Sequence, residues 1–137
     1  MQKVRSWMMD LVVDIDPEAT VIEALAQMRR RYIHSLITRK TEKYPQVGII
    51  TSTDICDKIV AVERNPAQTK VCEIMTSPLI TISADEDLTT CAKLMKERRI
   101  HHLPVVNEDG KIIAMISATD FLVAAEAMGA PGERRLS

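Results

Sequence analysis

Apolar positions along this chain switch between two periods. Short apolar stretches, Val12-Val13-Asp14-Ile15 and Leu79-Ile80-Thr81-Ile82, read as strands, and each precedes a segment whose apolar residues recur at helical spacing. The stripe is Val21, Leu25, Met28 and Tyr32 in the first segment and Leu88, Cys91, Ala92 and Met95 in the second, with charges on the other side. Thr20 and Asp87 stand at the N-cap positions, and Glu23, three residues after Thr20, completes a capping box. Two strands follow each helix, around Leu36-Ile37 with Val47 to Ile50, and around Leu103 to Val106 with Ile112 to Ile116. A second helix then closes each series, from about Ser52 to Val62 and from about Ala118 to Met128.

The order strand, helix, strand, strand, helix is thus written twice, and the residues repeat with it. Laying Ile33 on Ile100, a shift of 67, puts Val4 on Val71, Trp7 on Ile74, Met8 on Met75, Val13 on Ile80, Ile15 on Ile82, Val21 on Leu88 and Met28 on Met95. Thr51-Ser52-Thr53-Asp54-Ile55 falls on Ser117-Ala118-Thr119-Asp120-Phe121 at a shift of 66, so one residue is lost between the anchors. The loss lies in a loop. The first copy has Lys40 to Pro45 there, and the second has Asn107-Glu108-Asp109-Gly110, whose Gly accepts the positive φ of a tight hairpin. The repeat predicts an α+β fold of two βαββα copies, residues 1–64 and 65–128. They are expected to pack sheet to sheet with pseudo-twofold symmetry, because a copy of about 60 residues exposes too much apolar sheet alone. Glu63 to Pro66 reads as the turn between copies and 129–137 as a flexible tail.

With 46 % apolar and 27 % charged residues and few Gly or Pro, the chain has the makeup of a globular protein. Its aromatic residues are Trp7, Tyr32, Tyr44 and Phe121, too few to stack bases, and a net charge of -1 supplies no basic field, so nucleic acid is not expected as a partner. No run approaches a membrane span or a secretory leader. Cys56, Cys72 and Cys91 lie in apolar-periodic segments and read as reduced core thiols, so the expected location is cytoplasmic, away from membranes. No CxxC or HxxxH spacing suggests a metal, and no Walker loop or nucleophile elbow suggests catalysis.

The candidate chemistry sits at one place in each copy. Gly48-Ile49-Ile50-Thr51-Ser52-Thr53-Asp54 matches Ala114-Met115-Ile116-Ser117-Ala118-Thr119-Asp120. Thr51 and Ser117 stand where a strand ends and a helix begins, so hydroxyls and unpaired N–H groups face an anion there. Three residues on, an Asp can accept both hydrogen bonds of a cis-diol. The same residues are ordinary helix caps, and the two roles are compatible. Cations gather at the end of each first helix, Arg29-Arg30-Arg31 with His34, and Lys96, Arg98-Arg99 with His101 and His102. They meet phosphate there or simply complement the helix C-terminus.

Val71-Cys72-Glu73-Ile74-Met75-Thr76, Ile100-His101-His102-Leu103-Pro104-Val105-Val106 with Asp109-Gly110, and Ser117-Ala118-Thr119-Asp120 together resemble the CBS-domain pairs, or Bateman modules, from about Val4 to Phe121. The resemblance implies a non-catalytic regulatory module that binds an adenine nucleotide, AMP, ADP or ATP, in clefts between its copies. It also implies a homodimer that signals to a separate regulated protein. By the same resemblance, the hydroxyls of Thr51, Thr53, Ser117 and Thr119 meet phosphate, and Asp54 and Asp120 hold the ribose. The adenine lies along Val13, Ile15 and Pro17 or along Ile80, and His34 and His101 reach the phosphates. Copy two departs from the pattern with Ala114 for Gly and Ala84 for Pro, and copy one with Leu36-Ile37-Thr38 where an apolar residue, Pro and Val are usual. One working and one degenerate site is compatible with these departures. The alternative is a structural or interaction module whose clefts stay empty or take S-adenosylmethionine, with Ile55, Ile59 and Val62, or Phe121, Leu122 and Ala125, supplying the interface.

Overall fold

A computed structural model describes residues 2–130. The expected tail therefore lies, from residue 131, outside the described residues. In the first copy β1 (Asp14–Ile15), β2 (Ser35–Thr38) and β3 (Ile49–Thr51) form one sheet in that order. β1 runs parallel to β2, with Asp14 opposite Ile37, and β2 antiparallel to β3, with Leu36 opposite Ile50. The parallel pair needs a crossover, which α1 (Val21–Arg31) supplies. α2 (Ser52–Ile55) runs on through a π-helical turn at Cys56–Val60, and α3 (Val71–Ile74) follows. The second copy repeats the plan with β4 (Ile82–Ser83), α4 (Leu88–Arg98), β5 (His102–Val106), β6 (Ile112–Ser117) and α5 (Ala118–Gly129). The fold is α+β, as the repeat implies.

Local chemistry explains most of these boundaries. Thr20 Oγ1 accepts from the Glu23 N–H at 3.2 Å while the Glu23 carboxylate accepts from the Thr20 N–H at 3.0 Å, the capping box expected at the start of α1. In the second hairpin Gly110 takes φ 78, and the Asn107 side chain accepts from the N–H groups of Asp109 and Lys111, both at 3.0 Å.

Several expectations are corrected. The first strand of each copy is shorter than its apolar stretch, two residues long in each case. Asp87 precedes α4 but its carboxylate takes the Lys3 ammonium at 2.7 Å instead of capping. Tyr32 leaves the α1 stripe: it is the left-handed C-cap, φ 55 and 91 % exposed, and Ala24 joins Val21 and Met28 in the core. Ala92 likewise faces outward. Only Cys91 is a core thiol, because Cys72 is half-buried and Cys56 exposed.

The chain forms two compact units, residues 12–79 and residues 1–11 with those from Ile80 onward. The copies of the sequence, 1–64 and 65–128, are therefore not the units in space. The opening segment of each copy supplies the reason. Val4 is buried among Ile82, Leu88, Cys91, Leu103, Val105 and Ile116, and its N–H donates to the Glu86 carbonyl at 3.0 Å. Val71 and Ile74 are buried among Ile15, Val21, Met28, Leu36, Ile50 and Ile59, and the Val71 N–H donates to the Ala19 carbonyl at 2.8 Å. Each unit thus closes its core with the arm that the repeat assigns to the other copy.

Candidate functional site

In the unit 12–79, β3 ends at Thr51 and α2 begins. The Asp54 Oδ2 accepts from the Thr51 N–H at 2.9 Å and from its hydroxyl at 3.2 Å, and the Asp54 N–H donates back to Thr51 Oγ1 at 3.4 Å. The Ser52 N–H donates to the His34 carbonyl at 3.0 Å, which holds His34 at the start of α2. Asp54 is only 7 % exposed. Its Oδ1 accepts from Lys58 Nζ at 2.9 Å and from Thr76 Oγ1 at 3.4 Å, and Lys58 Nζ also donates to the Ile74 carbonyl at 2.8 Å. Thr53 is exposed.

The other unit builds the same junction from β6 and α5. The Asp120 Oδ2 accepts from the Ser117 N–H at 2.7 Å and from its hydroxyl at 3.2 Å, and the Ser117 and Thr119 hydroxyls lie 2.8 Å apart. The Ala118 N–H donates to the His101 carbonyl at 3.0 Å, so His101 stands where His34 does in the first copy. Asp120 is half-buried, and its Oδ1 makes no hydrogen bond among the described residues.

The strand residues expected along an adenine divide by burial. Ile15 and Pro17 are buried, so their side chains belong to the core of their unit, while Val13 is half-buried against that core and Ile80 against the other. The carbonyls of Val13, Ile15 and Pro17 accept from the N–H groups of Ile37, Arg39 and Cys72 at 3.0, 2.8 and 2.9 Å. β1 is nevertheless an edge strand, with one side unpaired in its sheet.

Two residues at the Asp54 junction were missed in the sequence. Lys58 was legible in principle, four residues from Asp54 on one helix. Thr76 was not, since it reaches Asp54 from 22 residues away through the isolated bridge that pairs it with Ile49.

The first copy also holds a cavity of about 660 Å³ lined by Leu25, Met28, Ile33 and Ile55 together with Arg29, Arg30, His34 and Ser52. Apolar walls with nearby cations suit an amphipathic anion. Thr51 and Asp54 do not line it. Among the described residues no cluster of His, Cys, Asp or Glu could hold a metal, and no helix is long and apolar enough to cross a membrane.

The CBS domain family model matches the chain twice, over residues 4–61 and 71–127. An uncharacterized protein of Methanopyrus kandleri is 33 % identical over 111 residues, which cover 81 % of this chain and 56 % of the relative. The chain spans about half the length of the curated relatives it matches. Among solved structures, a hexameric CBS-CP12 protein from bloom-forming cyanobacteria is similar with a TM-score of 0.85 at 27 % identity, covering 96 % of this chain and 75 % of that one. The CBS domain pair of protein MJ0100, in complex with methylthioadenosine and S-adenosyl-L-methionine, shares the fold with a TM-score of 0.76 at 23 % identity, over 90 % of this chain and 99 % of that one. With both copies matched and the same junction built twice, this chain belongs to the CBS-domain family as a tandem pair.

Proposed function

We propose that this CBS pair is a non-catalytic regulatory module that binds an adenine nucleotide, AMP, ADP or ATP, and passes its occupancy to a partner protein. The observation that carries the proposal is the strand-to-helix junction at Ser117, Thr119 and Asp120 with His101 beside it, repeated in form at Thr51 to Asp54 with His34. The N–H groups of Ser117 and Ala118, expected to be unpaired, are taken by Asp120 and the His101 carbonyl, so the Ser117 and Thr119 hydroxyls are the donors offered to phosphate, and a half-buried carboxylate one turn on is an acceptor for a ribose diol. A pair of the same fold, that of protein MJ0100, holds two adenosine-containing molecules, which supports this ligand class. The ligand signals by binding one arrangement of the module more tightly than another.

Calorimetric titration of protein stripped of copurified nucleotide, with AMP, ADP, ATP and S-adenosylmethionine, tests the proposal. Saturable binding of a nucleotide upholds it. S-adenosylmethionine alone would change the ligand, and no heat with any of the four would remove the sensor function.

A second reading, an interaction module, is favoured by apolar side chains on exposed helix faces. Leu122 is 70 % and Met128 77 % exposed on α5, and Val60 and Val62 are exposed beyond α2. Ile59, expected on such a face, is instead buried in the core. A second copy is the proposed occupant. Light scattering should therefore report a dimer, and Leu122→Glu should shift it toward monomer.

A further inference from the structure

We infer that the two copies differ as sites: Lys58 occupies Asp54 from within the protein, and Asp120 is the carboxylate this chain offers to a ligand. The inference rests on the proposed nucleotide-binding function and assigns its working half.

A carboxylate has about four lone-pair positions. Asp54 meets four donors of its own unit: the Thr51 N–H and hydroxyl on Oδ2, and Lys58 Nζ and the Thr76 hydroxyl on Oδ1. It is buried, so the ion pair with Lys58 is shielded on the Asp54 side, and Lys58 is further fixed by the Ile74 carbonyl. A diol reaching Asp54 would have to displace an ammonium and a hydroxyl, leaving a desolvated carboxylate to be paired afresh.

The unit of residues 12–79 is shaped for this internal pairing. A Cβ on Gly48 would lie 2.9 Å from the Thr76 carbonyl oxygen and 3.0 Å from the Met75 sulfur. The segment after α3 lies against β3, with Ile49 and Thr76 exchanging hydrogen bonds of 2.8 and 2.9 Å, and this seats the Thr76 hydroxyl on Asp54. By the shifts of the repeat, the unit of residues 1–11 and those from Ile80 onward has Ala114 for Gly48, Ala124 for Lys58 and Met9 for Thr76. Met9 makes the equivalent backbone pair with Met115 at 2.8 and 2.9 Å, yet brings no hydroxyl, and Ala124 is buried in the core and brings no cation. Asp120 thus keeps Oδ1 without a donor among the described residues. The unit 12–79 holds the latched form of the motif and the other unit the open form.

The test titrates AMP, ATP and S-adenosylmethionine into the full chain and into Asp54→Asn, Asp120→Asn and the double variant Asp54→Asn/Lys58→Met, with thermal unfolding of each free of ligand. The expected result is one nucleotide per chain, an affinity lowered about tenfold or more by Asp120→Asn and kept within about twofold by Asp54→Asn. Without ligand, Asp54→Asn should lower the Tm well beyond Asp120→Asn, and the double variant should recover part of the loss. Loss of binding in a folded Asp54→Asn while Asp120→Asn binds normally would overturn the inference, as would two equal sites in the unaltered chain. If none of the three ligands binds, the nucleotide function falls, and the latch is judged on the Tm values alone: equal losses for the two Asn variants would overturn it.

Discussion

Lys58 and Cys91 show how one residue's surroundings fix its chemistry. The Lys58 ammonium has a carboxylate and a carbonyl within 3 Å and holds both. The Cys91 thiol has neither. Burial in the core of α4, β5 and β6, with the Glu86 charge adding a little, pushes it from the ordinary 9.0 up to about 11. The folded state therefore keeps the Cys91 proton where the unfolded chain loses it. The resulting stability is fully present below pH 9 and is lost as pH rises toward about 11. Urea midpoints should fall over that window, and Cys91→Ala should flatten the decline; an equal fall in the variant would assign it elsewhere. The carboxylate motifs were legible in the sequence because Thr51 to Asp54 and Ser117 to Asp120 are local. Their inequality was only half legible, since Ala124 and Lys58 can be compared by shift but Thr76 and Met9 act through tertiary approach.

At the scale of elements, helix starts were easier to read than helix ends. The Thr20 and Glu23 pair opens α1 by a chemistry written in four consecutive residues. The end of α1 has no such mark. Tyr32 continues the spacing of Leu25 and Met28, yet the backbone turns left-handed there, as it does at Arg99 after α4. Neither position is Gly, the residue that takes this conformation without steric cost. Since Tyr32 is almost wholly exposed, its side chain contributes little packing, and Tyr32→Gly should raise the stability of the chain by about 0.5 to 1 kcal/mol. Chemical denaturation checks it; a loss would show that the ring packs where the structure leaves it open. The π-helical turn at Cys56–Val60 is likewise absent from the sequence pattern, because apolar spacing reports the buried face and not which carbonyl each N–H reaches.

At the scale of the whole molecule, superposing the repeat reveals which residues are equivalent but not which core each one joins. Val4 and Val71 are equivalent in sequence, and both are fully buried, each in the unit built mainly from the other copy's elements. Val4→Ala should therefore cost about 1.5 to 3 kcal/mol and speed hydrogen exchange first in α4, β5 and β6. Val71→Ala should cost a similar amount, about 1.5 to 3 kcal/mol, and act first in α1, β2 and β3. Exchange mapped by mass spectrometry distinguishes this from a pattern that follows the sequence copies, which would refute the arm assignment.

The same arms set a timetable for synthesis. When the ribosome has made residue 64, the first copy has its sheet and α1 but still lacks Val71 and Ile74, so its core is closed only by residues made afterward. Val4 waits longer, because its partners run to Ile116 and beyond. A gene encoding one copy alone would yield a domain with a gap in its core, which two such chains could fill only by trading arms. Joining the copies in one chain turns that trade between molecules into an event within one.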